Sequence, residues 1–258
     1  MIRNKEKISI IALGWLGKSL YQNLMSSGNI VSGSYCNSPK GLKNEYQYDF
    51  INSAPPKEIL ESNIIILNLP PSKMGTIDIF CRFIDNIHEK DIIFISSTSV
   101  YGKQGKVDEN THPIPETENG KFLLECEKYI INNVKNYKII RPAGLYGEDR
   151  HPARYLSGKE GVKGQNLPIN LVSRNDLIDL IIRTMKTQKP IIINAVNVNH
   201  PQKKYFYSLV CERLNIPNPY FDNINAPPNK IIKTKHTHFE INTPLEKGLT
   251  WKQHSSFY

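Results

Sequence analysis

The stretch Lys7-Ile-Ser-Ile-Ile-Ala-Leu-Gly-Trp-Leu-Gly-Lys-Ser-Leu-Tyr-Gln-Asn-Leu24 decides the fold. Its first half, up to Ala12, is a short run rich in isoleucine, as expected of a buried strand; Leu16, Leu20 and Leu24 then recur at helical spacing. Between them, Ala12-Leu13-Gly14-Trp15-Leu16-Gly17 joins strand to helix through a glycine turn. In a turn of this kind Gly14 lets the backbone approach a pyrophosphate and Gly17 allows the helix to pack closely on the strand. The helix N-terminus adds amides and a positive dipole. Ala12 takes the first position of this fingerprint with a small side chain, although its Cβ narrows the turn. A tight turn that holds no nucleotide has the same outline, so the surrounding pattern matters.

Outward from the turn, Ile30-Val-Ser-Gly-Ser34 supplies a second strand, and further apolar runs follow at Ile64 to Leu69, Ile92 to Ile95 and Tyr137 to Ile140. They are short and β-branched, as parallel strands covered on both faces are. Helical patterns separate them at Met74 to Ile87 and at Leu123, Leu124, Ile130, Ile131 and Val134. The alternation predicts an α/β protein with a Rossmann-like doubly wound parallel sheet and a small C-terminal substrate-side part. After Gly147 the crowding of Pro152, Gly158, Gly161, Gly164 and Pro168 reads as a long loop region. Order returns in a helix over Asn175 to Met185, a strand over Ile191 to Val196 and a helix over Tyr205 to Leu214. The expected division is a dinucleotide-binding domain over 1–150 and a small basic part over 151–258, with about 171–199 returning to pack on the sheet.

Composition narrows the function classes. Of 258 residues, 39% are hydrophobic and 22% charged, which excludes collagen-like, low-complexity and strongly disordered chains. The longest uncharged apolar runs, Ile8 to Leu16 and Ile64 to Pro71, fall far below the ~20 residues that cross a bilayer. No membrane association is expected, and the apolar run after the basic N-terminus ends in glycines instead of a signal-peptide cleavage site. Cys36, Cys81, Cys126 and Cys211 stand singly, the pattern of reduced thiols in a cytoplasmic protein. The formal charge of +9 is uneven: residues 1–150 hold 18 Lys and Arg against 17 Asp and Glu, and residues 151–258 hold 15 against 7. A basic second part attracts anions, and an anionic small-molecule substrate is the expected partner. A solvated basic face has the same composition. Nucleic acid is not favoured, because the lysines are dispersed and no aromatic-basic stripe or helix-turn-helix pattern is evident in the sequence.

An acidic residue about twenty positions beyond the glycine turn would hold the ribose 2′-hydroxyl of NAD. Here the second strand runs out through Ser34-Tyr35-Cys36-Asn37-Ser38-Pro39-Lys40, with no carboxylate. Asn37, Ser38 and Lys40 suit a 2′-phosphate better, so NADP is favoured over NAD; Lys40 as a plain exposed loop lysine is the competing reading.

Two further motifs sit at strand ends, Ile95-Ser96-Ser97-Thr98-Ser99-Val100-Tyr101-Gly102 and Arg141-Pro142-Ala143-Gly144-Leu145-Tyr146-Gly147. Together with the glycine turn, Leu69-Pro70-Pro71 and Val172-Ser-Arg-Asn-Asp-Leu177, they resemble the extended short-chain dehydrogenase/reductases. This is the NAD-dependent epimerase/dehydratase family, which acts largely on nucleotide sugars, and the resemblance covers nearly the whole chain. It implies that Ala12, Gly14, Trp15, Leu16 and Gly17 cradle the pyrophosphate and that Asp49 faces the adenine. Asn68, Leu69, Pro70, Pro71, Ser96 and Pro142 would border the cofactor. Ser97 would match the family's hydroxyl that hydrogen-bonds the reacting oxygen, with Ser96, Thr98 and Ser99 near enough to leave the register open. A serine/threonine cluster at a strand end also caps backbone groups. Arg150 and Arg154, with Tyr146, would lie over the substrate, where a guanidinium forks onto phosphate; a solvated surface pair is the competing reading of the two arginines.

One departure bears on chemistry. The family catalyses through a Tyr-x-x-x-Lys pair, in which the lysine lowers the tyrosine pKa for proton exchange while hydride moves. Matching on Gly120 and Glu127 puts Asn119 at the tyrosine and Leu123 at the lysine. Tyr101 and Tyr146 are candidate substitutes, or packing aromatics with a hydrogen-bonded hydroxyl. Two function classes follow: an NAD(P)-dependent reductase, epimerase or dehydratase, and a catalytically degenerate nucleotide-binding module with a regulatory or scaffolding role.

Overall fold

The computed structural model describes residues 6–103, 105–147, 150–222 and 230–245. In it the opening stretch forms strand β1 (Lys7–Ile11) and helix α1 (Trp15–Ser26). All of β1 except Lys7 is buried, so its isoleucines meet protein on both faces. Helix α1 buries Leu16, Gly17, Leu20, Tyr21 and Leu24, one stripe at the helical period.

The chain continues through β2 (Ile30–Tyr35), β3 (Glu45–Gln47), α2 (Lys57–Leu60), β4 (Ile64–Leu67), α3 (Ile77–Asp85), β5 (Asp91–Ile95) and β6 (Lys106–Val107). Next come α4 (Glu118–Asn133), β7 (Tyr137–Pro142), β8 (Gly144–Tyr146), α5 (Pro152–Leu156), β9 (Leu171–Ser173), α6 (Arg174–Thr184), β10 (Ile191–Ala195), α7 (Lys203–Leu214) and β11 (Ile231–Ile232). Seven strands make one sheet in the order β10-β7-β5-β4-β1-β2-β3. The pairings from β3 across to β7 are parallel, with Ile8 opposite Val31 and Ile64, and Ile66 opposite Ile93. The doubly wound Rossmann-like α/β fold read from the sequence is the fold observed. Strand order reverses at β1, with β2 on one side and β4 on the other, so the glycine turn lies at the switch point where such sheets open a crevice.

By internal contacts the chain divides into two units. The first comprises Met1–Gly102, Pro115–Arg141 and Ile178–Ile193; the second comprises Lys103–Ile114, Pro142–Leu177 and Asn194–Tyr258. The positive excess is shared between them: the second unit holds 15 Lys and Arg against 10 Asp and Glu, a net of +5 out of +9. It is lower than the +8 of residues 151–258 partly because Arg183, Lys186 and Lys189 fall in the first unit.

In the second unit β8 pairs with β9 and β6 with β11, both parallel. Its core gathers Tyr146, Ala153, Leu171, Phe206, Val210 and Cys211. The stretch after Gly147 that reads as a loop contains α5, a five-residue helix capped by His151, whose Nδ1 accepts the Ala153 N–H at 3.0 Å. Among the described residues no helix is long and apolar enough to cross a membrane.

Candidate functional site

The C-terminal edge of the sheet collects residues from four neighbouring strands. The turn after β1 carries Ala12 to Gly17, the loop after β2 carries Asn37 to Lys40, the segment after β4 carries Asn68 to Pro71, and Ser96 to Thr98 follow β5. The turn is built from a strained residue: Ala12 has φ +77°, in the left-handed region where a Cβ costs energy. Three hydrogen bonds hold Ala12 and Leu13 there. Ser34 Oγ accepts the Ala12 N–H at 2.9 Å, Ser34 O accepts the Leu13 N–H at 2.7 Å, and Asn68 Nδ2 donates to Ala12 O at 3.3 Å. Asn68 thereby ties the β4 exit to the turn, and Ser34 does so from the strand on the other side.

The two glycines differ as the fingerprint requires. A Cβ built on Gly14 meets nothing within 4 Å, so open space stands over the backbone at the N-cap of α1. A Cβ on Gly17 would lie 2.2 Å from Ala12 O, so the helix could not seat on the turn with any side chain there. Trp15 is partly exposed on the first turn of α1 and Leu16 is buried at 6% exposure. The residues present fit a dinucleotide pyrophosphate: open space over Gly14, a helix N-terminus with glycine as its N-cap, and no acidic residue in the first turn.

Beyond β2, Asn37, Ser38 and Lys40 are all exposed, and Lys40 Nζ donates to Ser38 Oγ at 3.3 Å. Glu45, which the sequence reading did not single out, holds this loop: its carboxylate accepts the N–H groups of Lys40 at 2.7 Å and Gly41 at 3.0 Å. The carboxylate of Asp49 binds its own turn, accepting from Asn52 Nδ2 and from the N–H groups of Ile51 and Asn52. The Asn52 side chain, followed by those two amides, holds its pKa below the usual carboxylate value. Pro70 and Pro71 open a short 3-10 turn, with Leu69 and Pro71 half-buried and Pro70 exposed. Pro142 is buried at the end of β7.

After β5 the side chains divide between the edge and the interior. Ser97 is half-buried and its Oγ accepts the Ser99 N–H at 3.1 Å, which caps the 3-10 turn Thr98–Tyr101; Thr98 is 7% exposed. Beneath them lies a buried ionic cluster. Glu127 of α4, fully buried, takes Ser96 Oγ at 2.5 Å and the Arg141 guanidinium at 3.0 Å from Nε and 2.6 Å from Nη2. Arg141 Nη1 donates to the Tyr101 hydroxyl at 2.6 Å. Burial pulls the Arg141 pKa down, and the bonds to Glu127 and Tyr101 more than restore it, so the guanidinium keeps its charge.

Of the two readings of Tyr101, a substitute catalytic hydroxyl and a packing aromatic with a hydrogen-bonded hydroxyl, its place fits the second and not the first: it is 0% exposed, with its oxygen bound to Arg141 inside the core. Tyr146 likewise departs from its substrate-binding expectation: it is 1% exposed and its hydroxyl donates to Leu245 O at 2.7 Å, in the core of the second unit. Arg150 and Arg154 are exposed in that unit. Helix α4 is capped by Thr117, whose Oγ1 accepts the Gly120 N–H at 3.1 Å; Asn119 is exposed on its first turn and Leu123 is 4% exposed. Gly120 fits tightly, since a Cβ there would stand 2.9 Å from Ser99 O. Nearby ionisable groups are engaged elsewhere. Lys121 pairs with Glu118 at 2.7 Å on the surface, and Tyr129 donates to Asp85 at 2.6 Å, a bond that pushes its pKa up to about 12. The edge therefore offers hydroxyls and backbone amides for binding, with no tyrosine–lysine pair on α4 to move a proton.

No family model matches the chain. It is 30% identical to protein YeeZ of Escherichia coli K12 in an alignment of 252 residues that covers 88% of this chain and 91% of that protein. Among solved structures it is similar to MoeE5 in complex with UDP-glucose and NAD, at TM-score 0.77 and 16% identity over 94% of this chain and 95% of that one. A UDP-glucuronic acid 4-epimerase from Bacillus cereus in complex with NAD superposes at TM-score 0.75 and 18% identity, covering 93% and 95%. At these identities the structural likeness establishes a shared fold.

Proposed function

Since the chain belongs to the family of the Escherichia coli protein YeeZ, we propose, from the site this family member carries, that it binds a nicotinamide dinucleotide and acts as an epimerase-, dehydratase- or reductase-like protein on an anionic small molecule. The observation that carries this reading is the open space over Gly14, at the N-terminus of α1 and at the switch point of the sheet. Gly14, Trp15 and Leu16 hold the pyrophosphate, and Asn68 to Pro71 border the cofactor on the β4 side. When bound, the cofactor supplies a hydride donor or acceptor. Ser97 and Thr98 orient an oxygen of the substrate beside it. NADP(H) is preferred over NAD(H), because the β2 exit offers Asn37, Ser38 and an exposed Lys40 and its neighbouring carboxylate, Glu45, is occupied by backbone amides. The similar fold of MoeE5, which holds UDP-glucose with NAD, supports a nucleotide sugar as the class of substrate.

A second reading is favoured by Asn119, Leu123 and the buried Tyr101. Without a positioned acid–base pair, ~10² to 10⁴ of rate is lost, and the chain then binds the dinucleotide as a regulatory or scaffolding module. Calorimetry with NADP(H) and NAD(H) on the whole chain and on Gly14→Val tests the shared premise. Binding by the wild type and none by a folded Gly14→Val chain is the expected result. No binding by the wild type at millimolar cofactor removes both readings, and tighter NAD(H) binding removes only the role of Asn37, Ser38 and Lys40. Turnover with a nucleotide-sugar panel then separates the enzyme from the module.

A further inference from the structure

The second unit leaves three tyrosine rings on its surface: Tyr155 is 73% exposed, Tyr205 67% and Tyr220 65%. They come from α5, α7 and the segment after α7, and backbone hydrogen bonds bring those segments together. The Tyr220 N–H donates to Lys159 O at 2.8 Å, and the Val162 N–H donates to Tyr220 O at 3.0 Å. Lys159 Nζ stands 3.2 Å from the centre of the Tyr155 ring. Further along the same stretch, Lys203 Nζ donates to Lys163 O at 3.0 Å and the Lys204 N–H to Gln165 O at 2.9 Å, which seats the turn of α7 that carries Tyr205. From Lys159 to Gln165 the chain spans at most ~20 Å. Along it Arg154, Lys159, Lys163, Lys203 and Lys204 outnumber the carboxylates Glu160 and Asp222.

We propose that this face binds single-stranded nucleic acid. Lysines and arginine follow the phosphates, and the exposed rings stack on bases, a combination that holds any sequence because every base has a π-face. The charge excess argues against an apolar protein partner, and the three rings stand in water beside exposed cations such as Arg154, Lys159 and Lys204. The sequence shows no aromatic-basic stripe because three separate segments contribute to it.

The test is fluorescence anisotropy of the whole chain with labelled oligo(U) of about ten nucleotides and with a duplex of equal length. Micromolar binding of oligo(U), weakening as salt rises, with the duplex held at least ~10-fold more weakly, is expected. Tyr155→Ala/Tyr220→Ala loses about tenfold or more, whereas Tyr155→Phe/Tyr220→Phe, which keeps the rings, binds as the wild type does. Lys159→Gln/Lys163→Gln weakens binding and lowers the salt slope by about 2. No anisotropy change up to ~100 μM protein, equal affinity for the duplex, or wild-type binding by an alanine variant that unfolds normally would each overturn the proposal.

Discussion

Replacing Glu127 by glutamine leaves the Arg141 charge in the interior without its counter-charge. Glu127 is fully buried and the Arg141 side chain is 4% exposed, so water cannot take over the lost interaction. Removing one partner of such a pair costs about 3–5 kcal/mol. For a chain of 258 residues, at ~2–4 °C per kcal/mol, the melting temperature falls by about 6–20 °C. Tyr101→Phe deletes one hydrogen bond to a charged group and costs less, about 1.5–3 kcal/mol. If desolvation is the main opposing force, Glu127→Leu/Arg141→Met/Tyr101→Phe, which removes charges and hydroxyl together, is more stable than Glu127→Gln alone, although Ser96 loses its acceptor. Urea unfolding of the four proteins, followed by circular dichroism, measures the differences. A Glu127→Gln chain within about 1 kcal/mol of wild type, or a triple variant that loses the sum of its parts, would refute the description of this cluster as an ion pair held against desolvation.

Gly17→Ala places a methyl carbon 2.2 Å from Ala12 O, a backbone atom with no room to yield; denaturant titration should show a loss of ~2 kcal/mol or more, and an unchanged midpoint would mean the turn is looser than described. His151 is held neutral by burial, with Arg154 adding to the effect, and its pKa drops to about 4 from 6.5. The unfolded chain therefore binds the proton first: the stabilisation is complete above pH 6.5 and declines towards pH 4, by up to ~3 kcal/mol. His151→Asn keeps a capping side chain and removes the titration, so its melting temperature should fall less steeply over that range than the wild type's; parallel slopes would count against the assignment. The Tyr48 hydroxyl is buried with no hydrogen-bond partner among the described residues, so Tyr48→Phe should be neutral or stabilising by up to ~1 kcal/mol, and a clear loss in thermal unfolding would reveal a partner.

The sheet was legible because β1, β4 and β5 are apolar on both faces and need nothing but burial to be strands. Strands β6 and β11, of two residues each, were not, since each is determined by the other far along the chain, and β3, of three residues, is too short to show a pattern. Helix α5 was hidden by Pro152, read as a breaker although it stands at the first helical position, where proline is tolerated. In the candidate site the glycine roles could be read locally: Gly14 faces space and Gly17 faces backbone. The roles of Tyr101 and Tyr146 could not, because a tyrosine at a strand end turns inward or outward according to its partner, here Arg141 and Leu245 O. Glu127 carried a signal that was not used: a carboxylate on the same stripe of α4 as Leu123, Cys126 and Ile130 must be paired, and Arg141 on a buried strand is the cation to pair it.

Because β10 takes the outer position beside β7, the sheet that begins at residue 7 is closed by residues 191–195. During synthesis the ribosome must deliver the chain as far as residue 195 before that edge is covered. A fragment cut near residue 150 would keep the entire glycine turn yet leave β7 with a row of open amides and carbonyls, an invitation to pair with the next copy. The half of this protein that carries the glycine turn is thus recognisable as a module without being separable as one.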